Sequence, residues 1–108
     1  MANTILMPGY HATAKITITF NVAIPCTATI WLSKDLTNGS SPVATSSVNF
    51  TSVVGSQTIP ISVTMPATGG SFGTFLDLTS GGQLLEQCAD TTNLVIIPSV
   101  STPVITWS

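Results

Sequence analysis

In the stretch HATAKITITFNV, apolar and polar side chains alternate without interruption. Ala12, Ala14, Ile16, Ile18, Phe20 and Val22 fall on one side, and Thr13, Lys15, Thr17, Thr19 and Asn21 on the other. Successive side chains of an extended strand point to opposite faces, so a period of two predicts a strand half in a core and half in water. A helix of the same residues would scatter its apolar groups around the whole circumference. No segment shows the three-to-four spacing of an amphipathic helix, and the chain is therefore expected to be all-β.

The alternation recurs downstream. CTATIWLS sets Cys26, Ala28, Ile30 and Leu32 on the core face and Trp31 on the opposite one. VATSSVNFTSV is a weaker strand centred on Val48 and Phe50. QTIPISVTM places Ile59, Ile61, Val63 and Met65 together, and Pro60 within it predicts an edge position or a bulge, since proline cannot donate to a ladder. FGTFLDLT turns Phe72, Thr74, Leu76 and Leu78 inward. QLLEQ is short and extended, and EQCADTTN reads as a polar loop. NLVIIP is apolar from Leu94 to Ile97, which predicts cover on both faces. Between these runs lie Asn38-Gly39, Gly55, Thr68-Gly69-Gly70 and Ser80-Gly81-Gly82, all turn chemistry. About seven short strands with turns every 8–12 residues or so predict a single immunoglobulin-like β-sandwich over residues 1–108. Extended arms are expected at about 1–10 and 98–108, each too broken by proline to make a core strand alone.

The chain has 108 residues, two of them basic and four acidic, with a formal net charge of -2. Two basic groups cannot neutralise a run of phosphates or hold an anionic lipid surface, so nucleic acid and membrane are not expected partners. No apolar run approaches the roughly 18 residues of a membrane-crossing helix. At 44% hydrophobic the chain is too apolar for disorder. Its polar surface is instead Ser and Thr, roughly three residues in ten, against a usual charged fraction of about a quarter. Such a neutral, β-prone surface invites association, because interspersed charge is what keeps small domains apart. Coverage by neighbouring subunits resolves the conflict. MANTILMPGYHATAK lacks a charged n-region followed by an apolar h-region, so no signal peptide is read.

Chemical sites are sparse. Acyl-transfer catalysis needs a nucleophile, a base and a group that orients the base. His11 is the only histidine, and none of the thirteen serines sits in a G-x-S-x-G elbow. Asp77, Glu86 and Asp90 flank a turn, with Asp35 as a possible fourth, but their spacing matches no calcium loop, and zinc would need more Cys and His. These acids are expected to brace a loop. No enzyme activity, metal or cofactor is expected. Asn38 and Asn49 match the N-glycosylation pattern, a frequent coincidence in a Ser/Thr-rich chain.

Several runs together carry a resemblance. Trp31, Leu32, Ser33 and Asp35 form a W-L-S-x-D strand. Gly55 precedes an apolar strand that ends at Pro66, and Leu84, Glu86, Cys88, Asp90 and Asn93 follow an aromatic strand and turn. Over residues 12–97 this pattern resembles the CARDB family, immunoglobulin-like domains named for cell adhesion in bacteria. The family's second acid is shifted here, and its Asn-Asn pair is replaced by Thr92-Asn93. The resemblance implies a binding, spacer or assembly module without catalytic chemistry.

In such a sandwich Cys26 begins the third strand and Cys88 falls between the last two, at one pole. A disulfide or two buried free thiols both fit. A bridge over ~60 residues would contribute about 4 kcal/mol in the chain-entropy model, whereas the unread signal peptide favours thiols. Function is then expected to be structural: a capsid decoration or minor coat protein, or a filament subunit, in a virion or extracellular assembly, with protein neighbours as partners. Ile5, Met7, Tyr10, Trp31, Val95, Ile97, Val104 and Trp107 are the candidate contact residues. The alternative is an adhesion or ligand-binding module of a larger surface protein.

Overall fold

A computed structural model describes residues 2–108. Eight strands and no helix are present among them: β1 (Ala2–Ile5), β2 (His11–Phe20), β3 (Pro25–Ser33), β4 (Ala44–Thr51), β5 (Gly55–Thr64), β6 (Gly70–Ser80), β7 (Gln83–Ala89) and β8 (Asn93–Ile97). They form a β-sandwich of two unequal sheets. The larger has the order β1-β8-β6-β3-β4, with β7 also paired to β6, and the smaller is the antiparallel pair β2-β5.

The period-two readings hold in β3, β5 and β6. Cys26, Ala28, Ile30 and Leu32 of β3 are buried, as are Ile59, Ile61 and Val63 of β5, Met65 just beyond it, and Phe72, Leu76 and Leu78 of β6. These side chains make one core between the sheets. Burying a side chain such as Phe72 contributes about 1.5–3 kcal/mol. Pro60 sits opposite Lys15 in the smaller sheet, whose β5 has no second neighbour, so the missing N–H falls on an edge strand.

Two expectations need correction. Residues 2–5 are no free arm: β1 lies parallel to β8, from Ala2 opposite Asn93 to Ile5 opposite Ile96. EQCADTTN is not one loop, because Glu86 to Ala89 belong to β7 and pair with β6. QLLEQ and NLVIIP, expected as separate extended runs, are β7 and β8, both against β6, and the strand beyond the expected seven or so is β1. β7 pairs along Phe75 to Ser80, and β8 along Gly70 to Phe72, of the same strand.

Short polar contacts close the ends. Ser52 is 1% exposed; its hydroxyl accepts from the Ile24 amide at 2.9 Å and donates to the Val22 carbonyl at 2.7 Å, tying the β2–β3 link to the start of the β4–β5 turn. Phe20 and Phe50 meet edge to face with centroids 6.1 Å apart. Residues 99–108 are all exposed and in no strand. The long axis measures 71 Å against 24 and 23 Å, and the radius of gyration is 17.0 Å, where about 13 Å is expected of a compact domain of this length.

Candidate interaction surface

The acidic side chains are engaged locally. Asp35 accepts hydrogen bonds from the Thr37 and Asn38 amides at 3.1 and 3.0 Å and from the Ser40 hydroxyl at 2.7 Å. The Ser40 bond first, then the two amides, lowers its pKa from 3.8 to about 2. This clasp folds the 35–40 loop over the outer face of the larger sheet. There Trp31 and Phe75, cross-strand neighbours, stack with centroids 5.8 Å apart, and Trp31 Nε1 donates to the Gly39 carbonyl at 2.8 Å. Ser33, the third residue of the W-L-S-x-D run, donates its hydroxyl to the Ser40 carbonyl. That run therefore has a structural use here, which is to hold the loop on its aromatic pair.

The other acids behave alike. Asp90 Oδ1 accepts from the Thr92 amide and hydroxyl and from the Asn93 amide. Desolvation is the largest influence on Asp90 and opposes ionisation, but these bonds together outweigh it and its pKa is lowered. Asp77 accepts from Gln87 Nε2 at 2.8 Å, and Glu86 from the Gln87 amide at 3.1 Å. Among the described residues no three His, Cys, Asp or Glu side chains gather as a metal site would require. His11 Nδ1 is 2.9 Å from the Thr64 hydroxyl.

The two cysteines are free, Cys26 buried and Cys88 exposed. Cys88 lies opposite Leu76, which lies opposite Ile30, four residues along β3 from Cys26. At strand spacings their Cα atoms are about 16 Å apart, beyond the roughly 7 Å limit for a bridge. Of the two alternatives left open, this spacing excludes the bridge, and of the two thiols only Cys26 is buried, because Cys88 lies within β7 and not in a loop at the pole. Cys88's thiol pKa is raised, first by desolvation and then by Glu86, Asp77 and Asp90.

The expected contact residues divide. Ile5, Met7, Tyr10, Val104 and Trp107 are exposed. Ile97 is not a surface anchor: it is 1% exposed and in the core, and Val95 packs against that core, because β8 runs between β1 and β6. Trp31 is half-buried beneath its own loop.

What the sequence reading missed is an open flank. Among the described residues, β2 pairs with β5 on one edge and with no strand on the other. All its inward side chains, from Ala12 to Phe20, are only half-buried, although their register partners Val63, Ile61 and Ile59 are buried. The facing wall shows the same asymmetry. Leu76 and Leu78 of β6 are buried, while their β7 partners Cys88 and Glu86 are exposed. Between these walls lies a cavity of about 660 Å³ against Ile16, Ile18, Phe20, Leu76, Leu78 and Leu85. A second cavity beside Ala14 shares lining residues both with it and with a third beside Ala12 and Val95. The available signal was LLEQCA itself. Polar Glu86 holds an inward position there, and an unpaired carboxylate would not be placed under a closed core. No family model, curated protein or solved structure matches this chain.

Proposed function

We propose that the chain is a non-catalytic structural protein of an ordered assembly, a capsid decoration or minor coat protein of a virus or a filament subunit, built on an immunoglobulin-like sandwich. The observation that carries this reading is residues 99–108. Val100, Val104, Ile105 and Trp107 are 91, 87, 79 and 93% exposed on ten consecutive exposed residues. Burial of each against a neighbour contributes about 1.5–3 kcal/mol before the entropy of association is subtracted. The open flank and the scarcity of charge support the same reading, with protein neighbours as partners in a virion or extracellular assembly. Sedimentation velocity across a concentration series tests it. Species larger than the monomer are expected, and a monomer at every concentration overturns it. That second result would favour the adhesion-module reading, which the CARDB-like pattern supports.

A further inference from the structure

Assembly through this surface needs a donor and a receptor, and both are on the same chain. We propose that the flank between β2 and β7 is a receptor groove for residues 98–108 of a second copy of this chain, which enters as a β-strand hydrogen-bonded to the free edge of β2. The proposal rests on the assembly reading above and specifies its contact.

The groove has the properties of a sandwich lacking one strand. The free edge of the ten-residue β2 presents a row of backbone N–H and C=O groups with no partner strand. The lining is apolar, and Glu86 is the only carboxylate along its largest part. β2 spans about 34 Å at strand rise, and eleven extended residues span about 36 Å, so donor and receptor match in length. Residues 98–108 carry no charge and are rich in Val, Ile, Thr and Trp, which favour strands. Pro103 lacks an N–H. A strand paired on one edge bonds only alternate residues, so a register with Pro103 facing away loses no hydrogen bond.

Geometry favours a second copy over the chain's own groove. Ile97 pairs with Gly70, and Val95 lines the Ala12 end of the groove, so the segment leaves at that end. Beyond Pro98 every residue is exposed, and the molecule is 71 Å long. Filling its own groove would require the chain to reverse just after Pro98. Continuing in its exit direction brings it to a neighbour stacked end to end. Such a contact joins unlike surfaces and need not close, so repetition yields a linear file of subunits. β1 is not available as donor, since it is paired to β8.

The test uses the full chain with Val104→Asp and Trp107→Asp, changes on exposed residues that leave the sandwich intact, and with Ile18→Arg in the groove. Sedimentation, Trp107 emission and hydrogen exchange of the β2 amides are followed with concentration. The expected result has three parts: a dissociation constant raised at least tenfold by each donor variant at unchanged Tm, a blue shift of emission on association, and protection of β2 that rises with concentration. Ile18→Arg should abolish association. If it unfolds the domain, the donor variants alone decide. Association that survives both donor variants overturns the proposal and leaves the assembly reading standing, whereas a monomer with free β2 amides overturns both. A monomer whose β2 amides and Trp107 are protected at all concentrations places the segment in its own groove and also overturns donation to a second copy.

Discussion

Replacing Gly39 with alanine tests whether the 35–40 loop is seated on the aromatic pair. Gly39 has φ +66°, and a Cβ there would lie 2.7 Å from Phe75 Cγ and 2.9 Å from both Cδ atoms. Two penalties therefore add. The left-handed conformation costs an L-residue roughly 1–2 kcal/mol, and overpacking costs about 1–3 kcal/mol. Phe75 cannot easily give way, because it is 6% exposed and stacked on Trp31. Gly9 supplies the control: its φ is +72°, and nothing lies within 4 Å of its Cβ position. Gly9→Ala then carries the conformational penalty alone, and the difference between the two variants, about 1–3 kcal/mol, isolates the contact with Phe75. Urea denaturation followed by Trp31 emission in a Trp107→Phe background measures both. In a Phe75→Ala background the excess should vanish, as a double-mutant cycle requires of a direct contact. Equal midpoints for Gly39→Ala and Gly9→Ala would refute the reasoning. The loop would then not rest on Phe75, and the face of Trp31 would be free for a partner.

Ser52→Ala leaves the Ile24 amide and the Val22 carbonyl without their hydroxyl partner, and a loss of about 1–3 kcal/mol in chemical denaturation is expected. Asp35 has a lowered folded-state pKa, so its contribution is fully present above 3.8 and is lost as pH falls towards about 2. The stability difference between the native chain and Asp35→Asn should accordingly shrink across that window, as read from urea midpoints. A thiol reagent should modify Cys88 in the folded chain and Cys26 only on unfolding, and a reductant should leave Tm unchanged. Rapid labelling of Cys26, or a fall in Tm on reduction, would contradict the placement of the two thiols.

The legible parts of the fold were those where burial on one face writes its period into the chain. β3, β5 and β6 face the core, and their alternation named the side chains packed there, though Thr74 is only half-buried and Phe75, on the outer face of β6, is buried beneath the 35–40 loop. β2 was equally plain, yet its sequence did not reveal that the strand lacks a neighbour. Ile16 and Ile18 are inward whether or not anything covers their flank, and cover depends on which strands lie alongside. The end of β7, from Glu86 to Ala89, was expected as loop for the converse reason. Its inward side meets an open cleft, so no selection for apolar residues imposed an alternation on Glu86 and Cys88. At four residues β1 is too short to show a period, and its pairing with β8 is a long-range fact. The contact residues followed the same division. Val104 and Trp107, on a segment with no core of its own, are exposed, whereas Ile97 is apolar because it is interior.

The parallel pairing of β1 with β8 also orders events in time. Ala2 meets Asn93, so roughly ninety residues must be in place before β1 has a partner, and a contact of such separation forms slowly. During synthesis the first of these eight strands to emerge is the last to be seated. Short, and exposed at all four residues, it should also be the first to fray, so that its amides exchange with solvent well before global unfolding. The larger sheet is thus completed by its least stable member.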